Sequence, residues 1–251
     1  MWDPSTGVSP GATIAIDWLH ALSLGVFKSF ATFVVHAFID VNAWCIPGGA
    51  DDRRAGSTAS IRAELFAWYA SENKAGRFPN RVQDLTKGML GESSDAVLGL
   101  HGAETNSFIH FLMAVVVPAH KHKLGPLKGD LVSRAVFCSL VVLMNLIKEH
   151  GWSVMPPPKI QEFCDAACEH IACVGALGLQ MKPKHHMLLE LGARLLWHGG
   201  PSMYGCWQDE SINGLVASIA VHAHRLVWAK RLLIEWRKAY GLERRRSRVN
   251  A

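Results

Sequence analysis

The spacing of apolar residues along most of the chain is that of an α-helix. In the first long segment the apolar positions lie three or four residues apart, which places them on one helix face. They are Leu19, Leu22, Val26, Phe30, Phe33 and Val34. Proline and glycine interrupt this period, and helices are expected between the interruptions. The predicted helices span about residues 57–73, 81–89, 103–117, 131–150, 159–177, 184–197 and 207–240.

This pattern predicts a mainly α fold, a helical array with at most a short β remnant near residues 12–17. Residues 13–16 are the β-favouring run, and Asp17 follows them. Asp17 has two interpretations. Either it lies at the junction between a strand and a helix, or it is the N-cap of that helix, which is a common role of aspartate.

Three consecutive prolines, at 156–158, predict an extended segment because each proline disfavours helical geometry in the residue before it. We take this segment as the boundary between an N-terminal helical part, residues 1–155, and a C-terminal helical part, residues 156–240. Residues 241–251 form a basic tail that is expected to be disordered.

Composition narrows the class of protein. The chain has 251 residues, of which 49% are hydrophobic, enough to bury a core. Its formal net charge of +5 is concentrated near the C-terminal end, which favours contact with nucleic acid, with a solvated tail as the alternative. Six cysteines without regular spacing indicate reduced thiols in an intracellular protein.

The most apolar run, residues 131–147, contains Arg134 and Asn145. It is shorter than the roughly 20 residues that a membrane span needs. We therefore expect a buried helix there and no membrane partner. The chain has neither a Gly-rich phosphate loop nor a dinucleotide fingerprint, so no nucleotide cofactor is expected. The sequence leaves the oligomeric state open.

Two acidic groups are candidates for chemistry. Asp17 and His20 are three residues apart and share a helix face, so a carboxylate and an imidazole there can bind a metal ion. Glu210 follows Asp209 and precedes Asn213 by three residues, at the start of the last predicted helix. For both groups the alternative is a stabilising role at a helix N-terminus.

A third candidate is basic. Cations at a helix start oppose the helix dipole, and such a placement is typical of an anion site. The residues are Lys182, Lys184, His185 and His186, with Arg244, Arg245 and Arg246 in the tail. We interpret them as nucleic-acid-binding residues, with a solvated surface as the alternative.

A cysteine and histidine group lies on the predicted helix at 159–177. The spacing of Cys164, Cys168, His170 and Cys173 is not that of a structural zinc site, because Cys173 points away from the other two cysteines. We interpret these cysteines as small core residues and His170 as an exposed histidine.

Two distant stretches together resemble CACTA-type (En/Spm) DNA transposases. That family carries an Asp-x-x-His followed by a Gly-Val step, and much later a Pro-Lys-x-His helix, a Gly-Pro break and a Trp-x-x-Glu segment. The matching residues are Asp17, His20, Gly25, Val26, Pro183, Lys184, His186 (or His185), Gly200, Pro201, Trp207 and Glu210.

The resemblance implies an RNase H-like catalytic core with a helical insertion, which cuts and joins DNA with two divalent metal ions, Mg or Mn. It implies that Asp17 and Glu210 are catalytic and that Asp17, His20 and Glu210 bind metal. Only sixteen residues precede Asp17, whereas the family's first catalytic aspartate lies on a strand well upstream. We therefore expect no DNA cleavage by this chain alone.

The sequence thus predicts a transposase-derived protein, a truncated or inactive transposase fragment of the nucleus that still contacts DNA. A non-enzymatic helical protein-interaction domain is the alternative, and a membrane-associated helical protein is the third reading. Transposase ancestry predicts that Asp17 lies beside Glu210, with His20 and His186 nearby. An interaction domain predicts that these residues are scattered and that an exposed apolar groove lies elsewhere. A membrane protein predicts that residues 131–147 face outward.

Overall fold

The structure of the protein is a computed structural model, which describes residues 16–91, 98–203, 206 and 234. Every regular element among these residues is helical, so the prediction of a mainly α fold is confirmed. Ile16 and Asp17 are not part of a strand, and residues 12–15 of the predicted β remnant lie outside the described part of the chain.

Seven helices occur in the described residues. The longer ones include segments of wider, π-type turns, in Leu19–Phe27, Leu112–Val116 and Ala135–Val141. The helices are α1 (Leu19–Phe27 and Lys28–Asp40), α2 (Ala50–Lys74), α3 (Lys87–Leu90), α4 (Gly102–Phe111, Leu112–Val116 and Val117–His120), α5 (Pro126–Arg134, Ala135–Val141 and Val142–His150), α6 (Pro157–Ala176) and α7 (Pro183–His198). Short 3-10 turns follow α4 and α7, at Lys121–Leu124 and Pro201–Met203.

The helix predicted at 81–89 is wrong over most of its length, since only Lys87–Leu90 is helical. The backbone before Lys87 is hydrogen-bonded to a side chain of α2 at Asn80 and Val82. The hydroxyl of Tyr69 on α2 accepts a hydrogen bond from the backbone N–H of Val82 (3.0 Å) and donates one to the carbonyl of Asn80 (3.4 Å). These bonds satisfy backbone groups of Asn80 and Val82 outside a helix.

Two helix ends also differ from the prediction. α4 does not stop at Pro118 but continues to His120. Pro118 lies near the start of the α-helical segment Val117–His120, which directly follows the wider turns that end at Val116. α2 begins at Ala50, seven residues early, because the Asp52 carboxylate accepts a hydrogen bond from the N–H of Gly49 (3.0 Å) and caps the helix.

Five helices, α1, α4, α5, α6 and α7, contact one another in a closed order. α1 contacts α4 and α7, α7 contacts α6, α6 contacts α5, and α5 contacts α4. The core lies between them and is rich in aromatic and branched side chains. Those fully buried include Leu22, Val26, Phe27, Phe30, Phe108, Phe111 and Phe163. The predicted face of α1 is buried except at Phe33, which is half-buried, and residues on the other sides of α1 are buried as well.

The chain forms two compact units, Met1–Gly205 and Cys206–Ala251. All seven helices belong to the first unit. The predicted boundary near residue 155 and the predicted tail from residue 241 stay predictions. All six cysteines are free thiols.

Two helices are long and apolar enough to cross a membrane by length and composition, Leu19–Asp40 and Pro126–His150. The apolar window of the first is 78% buried and that of the second 44% buried in the structure. Core helices of soluble proteins pass the same test, so these two are a weak indication of a membrane span.

A polar stripe on α1 fixes the chain segment that leads into α4. Lys28 donates to the carbonyl of Leu100 (2.6 Å), and the Nε2 of His36 lies 2.9 Å from the carbonyl of Leu90. Between them, Thr32 Oγ1 accepts a hydrogen bond from the buried N–H of Leu98 (3.2 Å). Because these three residues are four apart, they share one helix face.

We expect Thr32→Val to lower the free energy of unfolding by about 1–3 kcal/mol, because it leaves the N–H of Leu98 buried without an acceptor. Urea unfolding measures this. Thr58→Val is the matched control, since the Thr58 hydroxyl donates only to the carbonyl of Arg54 in its own helix. Equal losses in the two variants would contradict the role of Thr32.

Candidate functional site

Asp17 caps α1 and pairs with His20. One carboxylate oxygen, Oδ1, accepts a hydrogen bond from the N–H of Leu19 (3.1 Å), and the carbonyl of Asp17 accepts one from Ala21 (3.0 Å). The other oxygen, Oδ2, is bonded to His20 Nδ1. Asp17 is therefore an N-cap, and its carboxylate also reaches the imidazole three residues further on.

The pair lies at an accessible end of the helix. The His20 side chain is 53% exposed and that of Asp17 is 21% exposed. Both carboxylate oxygens already have partners in the helix and the imidazole. In this arrangement the carboxylate orients the His20 ring through Nδ1.

These residues do not by themselves make a two-metal centre, which needs several carboxylates around ions about 3.5–4 Å apart. Among the described residues, no second carboxylate joins Asp17 and His20 within ligand distance. Glu210, which the resemblance would supply, lies outside the described residues, so the predicted approach of Asp17 to Glu210 stays a prediction.

The second predicted stretch lies directly on the first. Helix α7 crosses α1 at Gly25, where a Cβ would lie only 2.5 Å from Cδ of Lys184 and 3.3 Å from its Cβ. The ammonium of Lys184 donates to the carbonyl of Leu24 (3.3 Å). Gly25 is therefore the residue that lets the Pro-Lys-His-His helix approach the Asp-x-x-His helix.

His185 has a structural position, which corrects its predicted contact with nucleic acid. Its side chain is 6% exposed, and Nδ1 accepts a hydrogen bond from the N–H of Lys182 (3.0 Å), which caps α7. Burial lowers the pKa of His185, and the charge of Lys182 lowers it further. A side chain placed in this way does not face a phosphate at the surface.

His170 is fully buried, so its predicted exposure is wrong. Its ring stacks on that of His185 with centroids 6.4 Å apart and meets the edge of Phe30 at 5.1 Å. Burial, with a smaller contribution from His185, lowers its pKa to about 3. Cys173 is also buried, whereas Cys168 is exposed and is not the core residue that the sequence predicted.

The basic side chains left at the start of α7 are Lys182, Lys184 and His186. The two lysines are half-buried, and the His186 side chain is 76% exposed. Its Nε2 lies 3.7 Å from a carboxylate oxygen of Glu190, which also binds Arg194 (3.2 Å). The basic side chains thus lie at the helix N-terminus, and the acidic group lies further along α7.

The structure also contains a large cleft that the sequence did not indicate. It has a volume of about 820 Å³, within the range of small-molecule pockets. It lies between the end of α2, the turn after it, α4 and the end of α5. Its walls combine aromatic, amide and charged side chains, including Trp68, Glu72, Arg77, Phe78, Asn106, His110, Lys148 and Trp152. These residues are far apart in sequence and carry no motif, so no spacing rule finds them.

The remaining predicted residues lie outside the described part of the chain. They are Asp209, Glu210, Asn213, Arg244, Arg245 and Arg246. Their predicted roles stay predictions.

No family model, no curated protein and no solved structure matches the chain.

Proposed function

We propose that this chain is a transposase-derived helical protein that contacts duplex DNA and does not catalyse cleavage by itself. The DNA surface is the start of α7, with Lys182, Lys184 and His186, where α7 lies against Leu24 and Gly25 of α1. The proposal concerns contact with the phosphate backbone, which is read by charge and not by sequence.

The observation that carries the proposal is the contact between α1 and α7. About 160 residues separate Gly25 from Lys184, yet Lys184 lies against Gly25 and bonds to Leu24 (3.3 Å). Transposase ancestry predicts Asp17 beside Glu210 with His20 and His186 nearby, and the contact between α1 and α7 supports the proposal by joining the two helices that carry these histidines. A Cβ at Gly25 would lie 2.5 Å from Cδ of Lys184, so a side chain there would require Lys184 to move.

Charge at the start of α7 supports a phosphate contact. The first helical N–H groups and the positive end of the helix dipole attract an anion. Two lysines at this end add positive charge where it destabilises the isolated helix, and a bound phosphate removes that repulsion. His186 is exposed beside them and offers a further donor.

The test is the affinity of the full chain for a fluorescent DNA duplex, measured by anisotropy over a range of salt concentrations. We expect the double variant Lys182→Gln, Lys184→Gln to bind more weakly. The slope of log K against log salt should fall by about 2, because each lysine that neutralises a phosphate contributes roughly 0.9.

The matched control is Lys121→Gln, Lys123→Gln. Both of these lysines are exposed in the connection between α4 and α5, and the variant changes the net charge equally. It should keep the slope of the unmodified chain. The proposal fails if the unmodified chain does not bind the duplex, or if both double variants lose the same amount. Circular dichroism checks that each variant is folded.

A helical protein-interaction domain is the second candidate, and the exposed apolar side chains of α5 favour it. Leu127 is 75% exposed and Phe137 is 58% exposed. If this candidate is correct, the double variants at Lys182 and Lys184 and at Lys121 and Lys123 bind duplex DNA equally weakly. The variant Leu127→Ser, Phe137→Ser then changes the oligomeric state or partner binding in sedimentation experiments.

A further inference from the structure

The cleft between α2, α4 and α5 has aromatic rings at its rim. Phe78, in the turn after α2, is 81% exposed, and Trp152, after α5, is 71% exposed. Trp68 lies half-buried on α2 and Trp18 is nearly buried at 8%. Exposed aromatic rings that line one concave site are typical of a surface that stacks against a planar ligand.

The polar groups of the cleft favour an anionic ligand. Glu72 is the only carboxylate among the lining residues, and Arg77 neutralises it with two hydrogen bonds (2.5 and 2.7 Å). Because Arg77 offsets the charge of Glu72, Lys148 gives the lining of the cleft a net positive charge. Burial lowers the pKa of His110, with a further lowering by Lys148, so His110 is neutral at pH 7 and acts as a hydrogen-bonding group.

A buried acceptor also lines the cleft. Oδ1 of Asn106 is shielded from solvent and accepts no hydrogen bond among the described residues. A buried carboxamide oxygen without a donor is unfavourable by the free energy of a lost hydrogen bond. A ligand N–H group, such as an exocyclic amine or ring N–H, satisfies it.

We propose that this cleft binds an unstacked nucleotide of single-stranded DNA. The base stacks between Phe78 and Trp152, an N–H group of the base donates to Asn106, and the adjoining phosphate lies near Lys148. Stacking on aromatic side chains tolerates any base, because every base has a π-face. The inference rests on the proposed contact with DNA but uses a different surface, which is distinct from the start of α7.

The experiment measures anisotropy of the full chain with two fluorescent single strands of equal length, one with bases and one with abasic sugars throughout. We expect the base-bearing strand to bind at least about fivefold more tightly, the lower end of the effect of one base stacked on an aromatic ring. Phe78→Ala, Trp152→Ala should remove this preference and leave the affinity for the abasic strand unchanged.

The control is Leu127→Ala, Phe137→Ala, which removes two other exposed apolar side chains from α5 outside the cleft. It should keep the preference for bases. Equal affinity of the unmodified chain for both strands overturns the proposal, and so does an unchanged preference in the Phe78 and Trp152 variant.

The two proposals fail separately. If duplex binding depends on Lys182 and Lys184 while single strands with and without bases bind alike, the cleft proposal fails alone. If the duplex does not bind but the base preference is present and depends on Phe78 and Trp152, the duplex surface fails and the cleft proposal stands.

Lys148→Gln should lower the slope of log K against log salt for single strands by about 0.7, the share of one phosphate contact.

Discussion

Replacing Gly200 by alanine is expected to lower the free energy of unfolding by about 3 kcal/mol or more. Gly200 follows α7 and is buried against the turn that follows α5. A Cβ there would lie 2.5 Å from the carbonyl carbon of Gly151 and 2.5 Å from the carbonyl oxygen of Ser153. Backbone atoms do not move aside as a flexible side chain does. The N–H of Ser202 is bonded to the carbonyl of Gly151 (2.9 Å), so the turn cannot shift without losing that bond.

Gly178→Ala is the matched control. Gly178 has a left-handed backbone (φ +75°), and nothing lies within 4 Å of its missing Cβ. Its substitution therefore costs only the backbone strain, about 1–2 kcal/mol. Urea unfolding of both variants by circular dichroism makes the comparison. A loss at Gly200 no larger than the loss at Gly178 would show that the segment after α7 is not packed against the turn after α5.

Acid is expected to destabilise the fold through the His170–His185 stack. His170 is neutral in the folded chain because burial lowers its pKa to about 3, whereas in the unfolded chain it takes up a proton near pH 6.5. The stability that this neutral group contributes is fully present above pH 6.5 and is lost as the pH falls toward 3. For His170 alone the difference between pH 7 and pH 5 is about 2 kcal/mol.

The lowered pKa of His185 acts in the same direction. Urea unfolding at pH 7 and pH 5 measures the combined effect. His170→Gln should lower the stability at pH 7 but remove most of the pH dependence, while His122→Gln, at an exposed position, should keep it. Equal stability of the unmodified chain at pH 5 and pH 7 would contradict the interpretation.

The period of apolar residues was sufficient to predict the helices whose stability comes from one buried face. α6 is an example, because its buried residues recur three or four apart and define the covered side. In α1 the same period predicted the helix, but residues on most of its sides are buried. The period failed at residues 81–86, where the hydroxyl of Tyr69, twelve residues before Arg81, bonds to the backbone of Asn80 and Val82.

The candidate site was predicted only in part. Residue type and spacing singled out Asp17, His20, Lys182 and Lys184, and these residues lie at the starts of α1 and α7, while their roles in binding stay predictions. The same reading placed His185 in contact with nucleic acid and His170 at the surface. Both are buried, since the covered face of α7 and α6 depends on the helices that pack against them.

By itself the sequence determined the helical class, most helix positions and the residues at the starts of α1 and α7. Local spacing is sufficient for these, because helix formation and capping act over a few residues. Only the tertiary structure decided that Lys184 crosses α1 at Gly25, that His170 stacks on His185, and that Phe78, Asn106 and Trp152 line one cleft. Each of these contacts joins residues on separate helices, and it forms because burial of the shared core selects one packing of the helices.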